Sequence, residues 1–303
     1  MVEYFTFSLI IDDVVLPNGR SHMNLLGGGG IQTAFGMRLW AEQVGLVASV
    51  GEDVPAGTFD WLAEMAIDTT GLHRSTEWPT LRAWQILEND GRRRHLWRTP
   101  LAAIRPQLAR YFAWVPTDYH QAKGVHLGIH VEDVPDELAF LQALRGLGAT
   151  LSLEVYQPAK RPLTDAALRQ IATLPHILSP NEIEAASLVG EATPQETVRR
   201  LGDAGAEIVT LRMGAEGALV YRTETGEVWH IPALETAVVD PVGAGNAFCG
   251  AFLVGWVKTA DLRLAGQYGC VAGSFLVEQI GVPAPRPALA AEAQQRLARL
   301  QMG

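Results

Sequence analysis

The chain has 303 residues, 48% of them hydrophobic and 19% charged, with a formal net charge of -9 at pH 7. That balance describes a soluble globular protein with room for one large α/β domain or two ordinary ones, and it excludes a disordered chain. The acidic excess argues against a nucleic-acid partner, and no apolar run reaches the ~18 residues expected of a membrane span.

The two cysteines, Cys249 and Cys270, lack metal-ligand or redox spacing, so a cytoplasmic setting is expected. Lysine is confined to Lys123, Lys160 and Lys258, so arginine must supply most contacts to phosphate. In chain order, residues 4–11 read as a buried strand ending at Asp12-Asp13. An acidic pair at the carboxyl end of a strand is well placed to bind hydroxyls, although taken alone it reads as a turn. Residues 14–25, broken at Pro17-Asn18-Gly19, read as a short two-stranded excursion.

Gly27-Gly28-Gly29-Gly30 then runs through Ile31, Gln32 and Thr33 into a helical pattern at Phe35, Leu39, Trp40 and Val44. A dinucleotide fingerprint fails here, because Gln32 and Thr33 occupy both positions open to its third glycine, and a Walker loop is absent. Residues 45–50 form the next strand. Residues 81–88 and 93–98 flank Asn89-Asp90-Gly91, a hairpin turn signal. The hairpin is apolar on both faces, so one face is expected over a substrate and the other against a neighbour, as in a lid. Arg92, Arg93 and Arg94 at its tip read as a solvated turn.

Residues 124–129 are a strand that delivers His130 to its end. His126 and His130 share a face, but no third ligand is near in sequence, so a polar contact with substrate is expected of His130 rather than a metal. A helix over 135–147, a strand over 150–155 and a helix from about Thr164 follow. Asn181 and Glu184 stand three apart at a helix start and read as a capping box. A strand at 207–211 leads into Arg212, Gly214 and Gly217, a hairpin pairs 218–221 with 228–231, and 262–278 is helical. Between those last two, Gly243-Ala244-Gly245 opens a long apolar helix. Small residues there leave backbone N–H groups unpaired at the positive end of the helix dipole, which suits an anion. Strands alternating with helices imply a mostly parallel sheet covered on both faces.

The segment from Asp240 to Asn246 resembles the Asp-x-x-Gly-Ala-Gly-Asp signature of the PfkB/ribokinase family of carbohydrate and nucleoside kinases. It matches at Asp240, Gly243, Ala244 and Gly245 and departs at Asn246. The glycines at 27–30 with Gln32 are similar to the family's N-terminal Gly-Gly-x-x-x-Asn-x-Ala, with Gln in place of Asn. Asn181 and Glu184 match its Asn-x-x-Glu, and Gly214 and Gly217 its Leu-Gly-x-x-Gly. The resemblance spans essentially the whole chain. It implies a ribokinase-like three-layer α/β/α sandwich over residues 1–303, with a small β lid from segments about 13–26 and 78–100, and a homodimer contact through that lid.

The same resemblance implies Mg·ATP and a sugar or nucleoside acceptor. Asp12, Gly28, Gly29 and Gln32 would hold acceptor hydroxyls. The amides of 243–245 would form the anion hole. Glu184 and Asn181 would place Mg²⁺ through water, Arg212 would sit near the phosphates, and Gly214, Gly217 and Gly273 would admit the nucleotide. In the family the last Asp of the signature takes the acceptor's proton, which Asn246 cannot do. Losing a general base removes about two to four orders of magnitude in rate. Three accounts stay open: another group such as Asp240 takes the proton, the chain is a binding-only relative, or it is an engineered inactive variant.

Overall fold

The computed structural model describes residues 1–89 and 93–302. Within them the strands are β1 (Tyr4–Phe7), β2 (Ile10–Val15), β3 (Ser21–Gly27), β4 (Val44–Gly51), β5 (Ile67–Ser75), β6 (Arg82–Leu87), β7 (Arg93–Trp97), β8 (Gly124–Ile129), β9 (Thr150–Val155), β10 (Ile177–Leu178), β11 (Ile208–Arg212), β12 (Ala218–Arg222) and β13 (Glu227–Ile231). The helices are α1 (Gly29–Arg38), α2 (Ala56–Glu64), α3 (Leu101–Leu108), α4 (Val134–Gly146), α5 (Asp165–Thr173), α6 (Glu182–Val189), α7 (Pro194–Asp203), α8 (Ala244–Thr259), α9 (Leu262–Val277) and α10 (Leu289–Met302).

A nine-stranded sheet runs β13-β12-β11-β10-β9-β8-β1-β4-β5, and a four-stranded sheet runs β3-β2-β6-β7. In the large sheet the β11–β12 and β12–β13 pairs are antiparallel, and the remaining pairs among the described residues are parallel. Strand alternation divides its side chains between two cores. Tyr4, Leu46, Ile177 and Val220 face a core shared with Phe35 of α1 and Phe252 of α8. Their neighbours Phe5, Val47, Leu178 and Leu219 face a second core with Leu141 of α4 and Leu201 of α7. Two apolar faces with a period of two demand helices on both sides, and three layers result. None of the helices among the described residues is long and apolar enough to cross a membrane.

Three local expectations are corrected. The strand anticipated over residues 4–11 is two strands, because Ser8 adopts φ +83° and turns the chain off the large sheet. Asp12 and Asp13 therefore lie within β2 of the small sheet, not in a turn. The first helix starts at Gly29 and ends at Arg38, so Leu39 and Trp40 pack beyond it and Val44 belongs to β4. The hairpin of β6 and β7 forms where it is anticipated, with Ala83 opposite Trp97. Asp90, Gly91 and Arg92 lie outside the described residues.

Asp13 explains how the small sheet is tied together. Its carboxylate is fully buried, accepts from the Asn24 N–H at 2.8 Å, and pairs with Arg82 of β6 and with Arg98 just after β7. A buried charge is tolerated only when paired in this way. Replacing Asp13 with Ala removes the anion shared by two partly exposed arginines, and we expect a loss of about 1.5–3 kcal/mol in a denaturant titration.

Candidate active site

The parallel strands end on one side of the large sheet, where the chain after β1, β8 and β9 meets the N-termini of α1 and α8. Ser8, His130 and Tyr156 come from the strand ends, Gly28, Gly29 and Gln32 from α1, and Val242 and Asn246 from the mouth of α8. The small sheet closes the space with Asp12, Gln85, Arg93, His95 and Trp97. The cavity between the two sheets holds about 130 Å³.

At the mouth of α8, Asp240 accepts the Val242 N–H at 2.9 Å and holds a tight turn through Pro241. Gly243 follows with φ +86°, a conformation that a side chain disfavours, and a Cβ there would also strike Gln32 at 2.3 Å. The helix then starts with Ala244, so its first amides point outward. Among the described residues, the N–H groups of Gly243, Gly245 and Asn246 have no hydrogen-bond partner. Ala244 makes only a long bond to Pro241 O at 3.4 Å. Gly245 and Asn246 are half-buried, so these donors are open to a ligand yet shielded from bulk water.

The two glycine-rich segments are locked to each other. Helices α1 and α8 touch backbone to backbone, since a Cβ on Gly36 would lie 2.1 Å from the Ala247 carbonyl. Thr33 also donates to the Asn246 carbonyl at 3.2 Å. The two glycine-rich ends of the cavity are therefore fixed relative to one another.

Asp12 is buried, with Oδ2 accepting from the Gly28 N–H at 3.2 Å and Oδ1 from Gln85 Nε2 at 2.8 Å. Burial pushes its carboxyl up to about 6, against the lowering effect of those two bonds and of Arg93. His130 stacks at a tilt on Tyr156, ring centroids 5.5 Å apart, and burial holds its imidazole below the ordinary histidine range. His95, across the cavity, is held down to about 4, again chiefly by burial, so both imidazoles are neutral at pH 7.

Asn246 donates from Nδ2 to Oε1 of Glu154, a residue of β9 that is 3% exposed. Around the same carboxylate stand Arg212 Nη1 at 3.4 Å, His126 Nε2 at 3.6 Å and the Cys249 thiol at 3.9 Å. Burial alone would raise this carboxyl, but His126, Arg212 and Asn246 outweigh it and keep Glu154 ionised. Arg212 in turn donates from Nη2 to the Ser179 carbonyl at 2.8 Å and to Glu184 at 3.1 Å. It lies against Gly245, where a Cβ would fall 2.1 Å from Nη1.

Asn181 and Glu184 form the expected capping box, with bonds of 2.7, 2.8 and 2.9 Å between them. Both Glu184 oxygens are engaged, by Asn181 and Arg212, so the residue suits a Mg²⁺ hydration shell better than direct ligation. Asp240 is 1% exposed and is absent from the cavity lining. Gly214 and Gly217 shape the turn between β11 and β12, and Gly273 faces Ala244 from α9; none of the three lines the cavity. His126 and His130 are not partners, since His126 lies in the core against Ser152 at 2.9 Å.

Arg93 is exposed, as anticipated, but it also lines the cavity, while Arg94 pairs with Glu88 at 3.7 Å. Sequence reasoning passed over Glu154, Tyr156, Gln85, His95 and Trp97. Glu154 carried a readable signal, a lone carboxylate in the otherwise buried run of β9.

This geometry can be compared with known proteins. The model of the pfkB family carbohydrate kinases matches residues 7–289. The chain belongs to the PfkB family. Among its relatives, the cytidine kinase of Thermococcus kodakarensis is 28% identical over 265 residues, covering 86% of this chain and 90% of the relative. Fructokinase of Xylella fastidiosa with bound ATP superposes with a TM-score of 0.80 at 18% identity, over 100% of both chains. An Escherichia coli protein assigned as ribokinase II, in complex with ATP and Mg²⁺, superposes at 0.77 with 18% identity, over 99% of this chain and 100% of that one. The last two likenesses establish a ribokinase-like fold for this PfkB chain.

Proposed function

We propose that the protein transfers the γ-phosphoryl group of Mg·ATP to a hydroxyl of a sugar or nucleoside. The observation that carries this reading is the set of unpartnered amides at Gly243, Gly245 and Asn246, opening beside a cavity lined by Asp12 and Gln32. Phosphoryl transfer rests mainly on positioning and on stabilising charge that spreads over the transferred group. The amides and the dipole of α8 receive that charge, and Arg212 adds a cation behind Gly245. Asp12, ionised at neutral pH and backed by Gln85, orients the acceptor hydroxyls. Glu184 and Asn181 hold Mg²⁺ through its waters, and the metal neutralises charge on the triphosphate. Gly214, Gly217 and Gly273 line the approach of the nucleotide.

The small sheet, built from residues 10–27 and 82–97, acts as a lid whose Arg93 faces the incoming phosphate or an anionic group of the acceptor. Arg93→Ala is expected to raise the acceptor KM about tenfold or more, because hydrogen bonds to charged groups contribute ~1.5–3 kcal/mol. Steady-state kinetics with the substrate that gives ADP release checks this. Met23 and Leu96 are exposed on the same sheet, and we infer that this face makes a homodimer contact. Sedimentation of the native chain against Leu96→Glu decides it, a monomer in both cases excluding the contact.

The test of the main reading is calorimetry with Mg·ATP alongside a coupled ADP assay over a panel of sugars and nucleosides. Binding with acceptor-dependent ADP release supports a kinase, and no heat at millimolar nucleotide sinks it. Asn246 favours a second reading, a binding protein that retains both ligand sites without turnover, because an amide cannot accept the proton. That reading predicts ligand-induced stabilisation with no ADP release above background.

A further inference from the structure

The departure at position 246 has a partner. Glu154 is an acceptor only, since its carboxylate is ionised, so the Asn246 group that meets it must be the amide NH₂. The assignment of the two amide ends is thus decided by chemistry. With Nδ2 committed to Glu154, the carbonyl Oδ1 is the atom of Asn246 left for a ligand in the cavity that Asn246 lines.

We propose that Glu154 and Asn246 work as one unit, in which Glu154 is a positioning residue that fixes the amide and presents Asn246 Oδ1 to the acceptor hydroxyl, and that this unit is incompatible with a carboxylate at 246. The proposal rests on the acceptor-site reading for the role of Oδ1, while the incompatibility stands on geometry alone. Glu154 is 3% exposed and cannot swing away into water. Groups facing it from the elements packed around it are His126 on β8, Arg212 on β11 and Cys249 on α8, with Glu184 of α6 behind Arg212. Tyr156 lies two residues further along its own chain segment.

An aspartate in place of Asn246 would bring two carboxylates into hydrogen-bond contact. Like charges so close cannot both ionise freely, so the pair retains a proton and its upper apparent pKa rises. Asn246→Asp would then not supply an ordinary base at neutral pH. Neutralising Glu154 releases that base.

The experiment is a cycle of four proteins: wild type, Asn246→Asp, Glu154→Gln and the double variant. Thermal unfolding at pH 5 and pH 8 needs neither ligand nor activity. A carboxyl pair whose folded pKa is raised contributes stability that is present at low pH and lost as pH rises. Asn246→Asp is therefore expected to melt below wild type at pH 8, by a margin that shrinks at pH 5. Glu154→Gln should abolish that pH-dependent margin, so that the double variant and Glu154→Gln alone differ by the same amount at pH 5 and pH 8. Should Glu154→Gln fail to fold, Glu154→Asp withdraws the carboxylate by one methylene and takes its place.

The second arm measures ADP release from Mg·ATP with cytidine and with fructose as probes. At pH 7 the double variant should exceed Asn246→Asp at least tenfold, the gap closing as pH is raised. Equal melting of Asn246→Asp and wild type at both pH values overturns the proposal. So does an Asn246→Asp protein that turns over on its own with a flat profile above pH 5. Absence of ADP release from all four proteins while the melting cycle shows coupling would count against the kinase reading and uphold the pair.

Discussion

Gly245→Ala is expected to lower phosphoryl transfer by about 10²–10³-fold while leaving acceptor affinity unchanged. Alanine is the better helix former by roughly 1 kcal/mol, so the exchange does not threaten α8 itself. The obstacle is local, because the new Cβ would sit 2.1 Å from Arg212 Nη1. A flexible arginine could move aside cheaply, but this one is held by the Ser179 carbonyl at 2.8 Å, by Glu184 at 3.1 Å and by Glu154 at 3.4 Å. Either the guanidinium leaves those partners or the helix mouth shifts, and both misplace the amides proposed to receive the phosphoryl charge. Acceptor binding by calorimetry is the control, since Asp12 belongs to the small sheet and is not among the groups that the new Cβ meets. Turnover that survives the substitution removes the amides from the mechanism.

Asp12→Asn is expected to weaken acceptor binding about tenfold to a hundredfold, the loss that follows from removing a charged hydrogen-bond acceptor worth ~1.5–3 kcal/mol. Both oxygens of Asp12 accept, one from the Gly28 N–H and one from Gln85 Nε2. An asparagine can keep its carbonyl on the Gly28 N–H only if its NH₂ faces Gln85, whose amide must then turn to present its otherwise unpartnered Oε1, so the fold survives the exchange while the charge is lost. The wild type carries its own pH signature. Burial pushes the Asp12 carboxyl from 3.8 up to about 6, so acceptor affinity is expected to fall as pH drops through that value. Stability moves the other way. A carboxyl whose folded pKa is raised favours the folded state at low pH, fully below about 3.8, and that contribution disappears as pH rises through about 6. Calorimetric titrations of the acceptor and thermal melts, both between pH 5 and 8, separate the two effects.

Much of the architecture was legible because it is written in short-range patterns. The buried runs of β4, β8 and β9 and the apolar helix α8 follow from periodicity, and the Asn181–Glu184 capping box from spacing alone. The glycines at 27–30 and 243–245 announced helix mouths for the same reason. What could not be read was pairing at long range. Nothing local says that Ser8 turns the chain, that Asp13 is buried between Arg82 and Arg98, or that Arg93 of the second hairpin points over residues near the first. Glu154 and Asn246 are separated by 92 positions, and their contact exists only because β9 ends where α8 begins. The site's glycines were visible one at a time, while the side chains that close the cavity came from a second sheet whose closure the sequence does not spell out.

The most direct measurement is a crystal structure of the protein with Mg²⁺, a non-hydrolysable ATP analogue and an acceptor from the panel. The account predicts a terminal phosphate within hydrogen-bond distance of the Gly243, Gly245 and Asn246 amides, with an acceptor hydroxyl between it and Asp12. A triphosphate seated elsewhere, with those amides facing only solvent, would contradict it.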